Sequence, residues 1–82
     1  MEFKKGQVVL SLAGHDKGEL LVVAGTENNM VLICDGKGRG LESPKLKNPK
    51  HLEPTQTVLD GDSMATNRKI RKMLNKLIAQ EG

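Results

Sequence analysis

The spacing of apolar residues in this chain changes once, near residue 59, and that change constrains the fold more than any other feature. Before it, short apolar runs alternate with turns rich in glycine, asparagine and proline, as is typical of β-strands. With 82 residues, the chain has room for one domain. After the change, apolar residues recur at the three- and four-residue spacing of a single helix face: Ile70, Met73, Leu74, Leu77 and Ile78.

Five short strands are predicted before residue 59. Val8, Leu10 and Leu12 alternate with other residues, so they share one face of the first strand. Closely spaced short strands separated by turn signals favour a small barrel. The third strand is apolar throughout and is therefore predicted to be central. The predicted strands are residues 7–12, residues 19–24, Met30–Cys34, a short strand near residues 41–43, and Leu52–Val58.

Three glycine-containing loops or turns separate these strands. Gly14 and Gly18 frame a polar tip, a composition that predicts a tight loop whose backbone adopts positive φ. Residues 25–29 are predicted to form a turn. Residues 36–40, Gly-Lys-Gly-Arg-Gly, form a basic and flexible segment. This segment lacks the Gly-Lys-Ser/Thr ending of a phosphate-binding P-loop, so nucleotide binding is not expected.

The C-terminal helix is predicted to span residues 66–80, with Thr66 as its N-cap and Ser63 as the competing candidate. Residues 1–59 are assigned to the barrel and residues 60–65 to a polar linker. The apolar helix face must be buried, and we favour packing on the chain's own barrel. Docking on another protein, or a homodimer built on this face, is the alternative, and we favour the monomer.

Charge is distributed unevenly along the chain, whose net charge is +3. Residues 37–51 carry five Lys or Arg against one acid, and residues 64–82 carry the same balance. Residues 1–36 and the connector 52–63 are both net acidic. A polyanion responds to local rather than net charge, so two basic segments favour contact with a phosphate backbone over random surface charge.

Several classes of protein are not expected. No apolar run approaches the roughly 20 residues of a membrane span, and no apolar stretch follows the N-terminal lysines as in a secretion signal. Cys34 is the only cysteine, which excludes an intrachain disulfide and indicates a cytoplasmic protein. His15 and His51 are far apart with no paired ligand spacing, so no metal site is predicted. No nucleophile–base pair is evident, so neither enzymatic activity nor a cofactor is expected.

The stretch KGQVVLSLAGHDKGELLVV, residues 5–23, resembles the KOW motif: a strand, a glycine-containing loop with a Lys-Gly pair, and a second strand. Agreement continues through residues 31–36, through Pro44, Lys45 and residues 50–52, and at Thr55. This longer pattern is similar to the large-subunit ribosomal KOW proteins of archaea and eukaryotes and to short bacterial KOW-domain RNA-binding proteins. It covers roughly residues 3–59, and the helix matches only the bacterial group.

The resemblance implies an SH3-like (KOW) barrel that binds RNA, chiefly ribosomal, through the loop between its first two strands. Gly14 matches the family's turn glycine, Lys17 and Gly18 its loop pair, and residues 35–36 the Asp-Gly that ends the third strand. The chain departs from the family in its fourth strand, Arg-Gly-Leu-Glu, where ribosomal relatives often carry more arginine. Glu42 and Asp16 therefore argue against uniform contact with an RNA backbone along these segments.

Structured RNA, and ribosomal RNA in particular, is the predicted partner, with ribosomal proteins or translation factors as further contacts. Phe3 is the only aromatic residue, whereas single-stranded RNA is usually held by stacking on aromatic rings. Readout of base sequence is therefore not expected. Glycine-framed backbone can approach phosphate closely, and Arg39 can engage it with two bonds. The predicted RNA-binding residues are Gly14, His15, Lys17, Gly18, Lys37, Arg39, Lys45, Lys47, Lys50, Arg68, Lys69, Arg71, Lys72 and Lys76.

Two alternatives remain open at this point. The glycine loop is equally compatible with a hairpin turn that contacts nothing, and any single lysine with a solvated surface. As a whole, the chain is also compatible with a protein-interaction module that binds a transcription or translation factor through the barrel edge or the helix.

Overall fold

The computed structural model describes residues 3–81 of the chain, with side chains for residues 3–79. It confirms the predicted fold class, a mainly β domain followed by a C-terminal helix. The strands are β1 (Gln7–Ser11), β2 (Leu20–Glu27), β3 (Met30–Cys34), β4 (Lys45–Lys47) and β5 (Leu52–Val58). A turn of 3-10 helix, Pro49–His51, precedes β5, and the α-helix α1 is Asn67–Glu81.

The five strands form one antiparallel sheet in the order β4-β3-β2-β1-β5. In a flat sheet, the two outer strands would lie about 19 Å apart, because neighbouring strands are spaced by about 4.8 Å. Residues 48–51 alone connect β4 to β5, and this link reaches only about 18 Å when fully extended. The 3-10 turn shortens it further. The sheet must therefore curl until its edges approach each other, which gives a barrel-like shape.

Both faces of the sheet are buried, which explains why its central strands are apolar without interruption. The concave face holds what we call the inner core: Val9, Leu21, Val23, Val31, Ile33 and Leu52. The opposite face, the helix-side core, packs against α1 through Val8, Val22, Cys34, Leu59, Met64, Ile70 and Leu74. Because successive strand residues point to opposite faces, neighbours such as Val8 and Val9 enter different cores.

The face shared by Val8, Leu10 and Leu12 becomes progressively more exposed along β1. Val8 is buried under the helix, Leu10 is half-buried, and Leu12 is 43% exposed. The strand ends at Ser11, one residue earlier than predicted, and the backbone N–H of Leu12 donates to the His51 carbonyl at 2.8 Å. The helix covers only the beginning of this face. Alternation of apolar residues continues to Leu12, beyond the covered part, so alternation alone predicted a strand one residue too long.

The fourth strand lies at Lys45–Lys47, so its predicted position near residues 41–43 was wrong. Those residues form a turn, closed by a hydrogen bond from the Ser43 N–H to the Gly40 carbonyl at 3.1 Å. The strand itself pairs with β3, with Leu46 opposite Leu32. A Lys-Leu-Lys segment carries little apolar signal of its own, so only its pairing with β3 reveals it.

The β2–β3 hairpin turns more tightly than predicted. β2 continues to Glu27, and the reversal is made by Asn28 and Asn29 alone, with φ of 50° and 66°. Positive φ at both central residues is the signature of a type I′ turn, which asparagine tolerates better than most residues. A bulge between Val23 and Gly25 shifts the register of β2 and adds to the local twist.

The C-terminal helix packs on the chain's own sheet, which is the arrangement that we favoured from the sequence. Thr66 is the N-cap, because its Oγ1 accepts the Lys69 backbone N–H at 3.1 Å. Ile70 and Leu74 are completely buried in the helix-side core. Residues 60–65 form an ordered turn, in which the Asp60 carboxylate accepts the Ser63 backbone N–H at 2.8 Å. The apolar helix face is thus covered within the molecule, and the central part of that face is not free for a homodimer.

The start of the helix is fixed to the loop between β3 and β4, residues 35–44. Gly36 has a φ of 75°, and its Cα lies against the first helical turn, where an added Cβ would meet the Asn67 carbonyl oxygen. The Asn67 side chain accepts the Leu41 backbone N–H at 2.7 Å and donates to Glu42 Oε2 at 2.9 Å. This docking brings one flank of the helix beside the loops that follow β1 and β3.

Candidate nucleic-acid interface

The loop between β1 and β2, residues 12–19, has a fixed backbone. Gly14 and Gly18 have φ of 89° and 88°, so the positive φ expected at both glycines is confirmed. The Gly18 N–H donates to the Ser11 carbonyl at 2.8 Å, and the Lys17 N–H donates to the Gly14 carbonyl at 3.2 Å. His15 and Lys17 are exposed at the tip. The loop therefore presents these two side chains from a backbone that needs no further ordering.

A buried lysine on the edge strand β4 holds this loop in place. Lys47 on β4 is 6% exposed, and its Nζ donates to Ser11 Oγ at 3.0 Å, to the Ala13 carbonyl at 2.7 Å and to Asp16 Oδ1 at 2.6 Å. An ammonium group has three donors, and all three are used. Lys47 was among the predicted RNA-binding residues, but with no free donor it has a structural role, and we remove it from the set.

The partner of Lys47 is an acid whose protonation is shifted by the contact. Burial acts to raise the pKa of Asp16, but hydrogen bonds from Lys47 and Ser11 outweigh it, so the pKa lies below the ordinary value of 3.8. The Asp16 side chain is 16% exposed. Asp16 is therefore ionised at neutral pH, and its charge is compensated by a cation inside the molecule.

We expect acid to weaken the fold through Asp16. Because the pKa of Asp16 is lower in the folded protein, the unfolded chain binds the proton more tightly. The stabilisation from ionised Asp16 is therefore present above pH 3.8 and is lost as the pH falls below that value. Urea denaturation at about pH 6 and about pH 3 should therefore show a smaller loss of unfolding free energy in Asp16→Asn than in the wild type. Asp62→Asn is the control, because Asp62 is 82% exposed and its ion pair contributes little. Identical pH dependence in wild type and Asp16→Asn would contradict the assignment.

The β3–β4 loop is also held by internal hydrogen bonds. Asp35 Oδ1 accepts the backbone N–H groups of Lys37 at 2.8 Å and Arg39 at 2.9 Å. The Asp35 and Gly36 N–H groups both donate to the Arg39 carbonyl, at 2.8 and 3.1 Å. This arrangement fixes the backbone while leaving the Lys37 and Arg39 side chains exposed. The segment that looked flexible from its glycine content is thus a closed turn with two projecting cations.

The two loops form the walls of a cleft, which we call the loop cleft. Its lining combines imidazole, cationic and carboxylate groups: His15, Asp16, Glu19, Asp35, Gly38, Arg39 and Lys45. A second cleft adjoins it, because both are lined by Glu19 and Asp35, and it adds Arg71 of the helix together with Gly18, Leu10, Leu20 and Ile78. Arg39, Lys45 and Arg71 thus line two adjoining clefts, and Lys17 is exposed in the β1–β2 loop between His15 and Gly18, which also line them.

The remaining predicted cations lie elsewhere. Lys69, Lys72 and Lys76 line a groove on the other flank of the helix, where Lys69 pairs with Asp62 at 2.9 Å. Arg68 is exposed on the first helical turn, and Lys50 is exposed on the 3-10 turn. Among the described residues, neither of these two lines the loop cleft or the cleft beside Arg71. The predicted cations therefore do not form one unbroken strip. They divide into a loop group with Arg71 beside it and a helix group, while Lys50 belongs to neither. The loop group is Lys17, Lys37, Arg39 and Lys45, and the helix group is Arg68, Lys69, Lys72 and Lys76.

Carboxylates are interleaved with the loop group, as the departures from the family pattern suggested. Asp16 is neutralised by Lys47, and Asp35 accepts two backbone N–H groups. Glu42 accepts a hydrogen bond from Asn67, which lowers its pKa. Glu19 is exposed and lines both clefts, yet the sequence placed it inside the second strand. Its position directly after the Lys-Gly pair was the only signal that it belongs to the loop.

Cys34 is buried in the helix-side core. Burial, followed by the nearby charges of Asp35 and Glu42, raises the pKa of the Cys34 thiol to about 11, so it stays protonated and weakly nucleophilic. Across the described part of the chain, no three His, Cys, Asp or Glu side chains are grouped closely enough to hold a metal ion. No described helix is long and apolar enough to cross a membrane. The clefts thus combine cationic and carboxylate side chains on loops whose backbone is held by hydrogen bonds.

Comparison with models of known protein families finds no match to this chain, and comparison with curated protein sequences finds no significantly similar protein.

Proposed function

We propose that this protein binds structured RNA without covalent chemistry, and that its target is ribosomal RNA in the cytoplasm. The observation that carries the proposal is that Arg39 of the β3–β4 loop and Arg71 of the helix line adjoining clefts, beside the β1–β2 loop in which Lys17 is exposed. The ribosomal target rests on the resemblance of residues 3–59 to KOW proteins, and the binding mode rests on the surface itself.

The geometry suits RNA that is already folded. Both loops are held by their own hydrogen bonds, so little conformational entropy is lost when they dock. Lys17 and Arg39 are exposed and Arg71 is half-buried, so their charged ends can reach phosphate and 2′-hydroxyl groups, which are what a protein reads on an RNA helix. The division into a loop group and a helix group favours two phosphate contacts on different strands or turns of the RNA over one continuous track along a single strand.

We expect the affinity for a structured ribosomal RNA fragment to fall steeply with salt. If about five phosphates are neutralised, the logarithm of the association constant should fall with a slope of about −4 against the logarithm of salt concentration. Lys17→Glu/Arg39→Glu should weaken binding roughly tenfold or more at about 0.1 M salt and make the slope shallower by about 2. Fluorescence anisotropy with labelled RNA measures both quantities.

The matched control changes the same charge at the opposite end of the barrel. Lys4 and Lys5 are exposed and precede β1, whereas the loop group lies beyond its other end. Lys4→Glu/Lys5→Glu should therefore weaken binding much less than Lys17→Glu/Arg39→Glu. Equal losses in the two variants would show that only net charge matters. Binding that does not change between low and high salt would end the proposal.

A second candidate function is supported by one apolar feature. The cleft beside Arg71 is lined by Leu10, Leu20 and Ile78, and Ile78 is 48% exposed at its edge. A partially exposed apolar surface next to an arginine is typical of a protein-interaction site for a transcription or translation factor. A complex with such a factor that survives nuclease treatment and high salt would favour this function over RNA binding.

A further inference from the structure

The loop cleft has a chemistry that a phosphate backbone does not need. A site for phosphate alone is lined by cations and backbone N–H groups, and a carboxylate there repels the ligand. Glu19 nevertheless lines the cleft opposite the β3–β4 loop, and its carboxylate has no hydrogen-bond partner among the described side chains. A free acceptor in a cleft that also holds Arg39 and Lys45 indicates a ligand with both donor and acceptor edges.

We propose that the loop cleft is a subsite for one unpaired guanine of the bound RNA; the inference rests on the proposed function and deepens it. Guanine carries two adjacent donors, N1–H and the N2 amino group, which match the two oxygens of the Glu19 carboxylate. Its O6 and N7 are acceptors that arginine or lysine engages, which suits Arg39 and Lys45. Adenine and the pyrimidines present no edge with this pairing of donors beside a two-acceptor edge.

Flat side chains and a suitable volume support the assignment. RNA bases that are extruded from loops and bulges stack on aromatic rings, on histidine or on the guanidinium plane of arginine. The loop cleft lacks Phe, Tyr and Trp, but His15 lines it and can stack on the base while Arg39 donates to the base edge. Its volume is about 430 Å³, within the roughly 300–1,000 Å³ of sites that hold small organic ligands. The scarcity of aromatic residues in the sequence therefore does not exclude reading a base here.

The walls of the cleft are fixed before any ligand arrives. One wall is the loop that Lys47 anchors through Asp16, and the other is the turn that Asp35 closes onto Lys37 and Arg39. Gly38, which lines the cleft, has open space around it, since an added Cβ would meet nothing within 4 Å. Ligand binding to such a preorganised cleft costs little conformational entropy. At Gly38, a larger side chain could occupy the cleft without disturbing the fold.

The test uses four RNA hairpins that are identical except for one bulged nucleotide, which is G, A, C or U. The 82-residue chain should bind the bulged-G hairpin about tenfold more tightly than the other three, which is the discrimination of one good two-bond contact to a base. Glu19→Gln should reduce this preference to less than about threefold. Because the variant removes a negative charge, its affinity for the other hairpins should stay level or rise, which mere loss of folding would not produce.

Two further variants complete the design. Glu27→Gln makes the same charge change at an exposed carboxylate near the β2–β3 turn, and it should keep the full preference for G. Gly38→Leu should lower affinity for the bulged-G hairpin while leaving thermal stability unchanged. Equal binding of all four hairpins, or a preference that persists in Glu19→Gln, overturns the guanine subsite but leaves salt-dependent RNA binding intact. If neither the hairpins nor ribosomal RNA fragments bind, the proposed function fails with it.

Discussion

Replacing Lys47 with methionine should lower the free energy of unfolding by about 3 kcal/mol, because the change leaves Asp16 as a partly buried charge without its partner. The exposed fractions of the two side chains are 6% and 16%, so water can solvate the remaining carboxylate only in part. Ser11 Oγ and the Ala13 carbonyl lose the same donor. Small domains have total stabilities of about 5–15 kcal/mol, so this loss would be easy to measure.

Urea denaturation at neutral pH is the measurement, and the same strand provides the control. Lys45 is also on β4 but is half-buried with no recorded ion pair among the described residues, so Lys45→Met should change stability by less than about 0.5 kcal/mol. The double variant Lys47→Met/Asp16→Asn should recover part of the loss, since the unpaired charge is gone. A loss below about 1 kcal/mol for Lys47→Met would contradict the role assigned to this lysine.

Gly36→Ala is expected to destabilise the protein by about 3 kcal/mol, because two separate costs combine at one position. Its φ of 75° is left-handed, where a residue with a Cβ loses about 1–2 kcal/mol. The new Cβ would also meet the Asn67 carbonyl oxygen and lie 3.0 Å from the Arg71 backbone nitrogen. Both atoms belong to the helix backbone and cannot move aside singly, so the helix must shift away from the loop.

Two other glycines separate these costs. Gly18 has a φ of 88° with nothing within 4 Å of an added Cβ, so Gly18→Ala should lose only the conformational part, about 1–2 kcal/mol. Gly38 has neither a positive φ nor a close neighbour, and Gly38→Ala should be nearly neutral. The three variants should therefore rank Gly36, Gly18, Gly38 in decreasing loss of stability by thermal denaturation. If Gly36→Ala were no worse than Gly18→Ala, the helix would not be packed as described.

Most of the fold could be predicted because its strong signals are local. The bounds of β3 and β5 were predicted correctly, since each is a compact segment bounded by turn residues. The helix was placed within one residue because five apolar residues keep its period and Thr66 caps it. β4 was missed because it is three residues long and polar, and its identity as a strand depends on hydrogen bonds to β3.

The candidate site was harder to predict, because it depends on which segments each side chain reaches in the folded chain. Lys45 and Lys47 look equivalent in the sequence, and because they are two residues apart they point to the same face of β4. Only Lys47 is buried, because its Nζ reaches the β1–β2 loop and donates to Asp16. This contact joins segments that are distant in the sequence, so the residues around either lysine do not reveal it. The same holds for Glu19, whose proximity to Arg39 follows from the pairing of β2 with β3, which sets the start of β2 beside the end of β3. The positive φ of the loop glycines, by contrast, could be predicted from residue type alone, because glycine adopts such angles without steric cost.

The two edges of the curled sheet have a consequence for how molecules of this protein behave when crowded together. An open strand edge invites hydrogen bonding to a strand of another molecule, the first step of aggregation. Here one edge strand, β4, has only three residues, two of them lysines, and the other, β5, contains Pro54, which has no N–H to donate. Both edges therefore oppose intermolecular strand addition, and the protein should resist aggregation even at high local density.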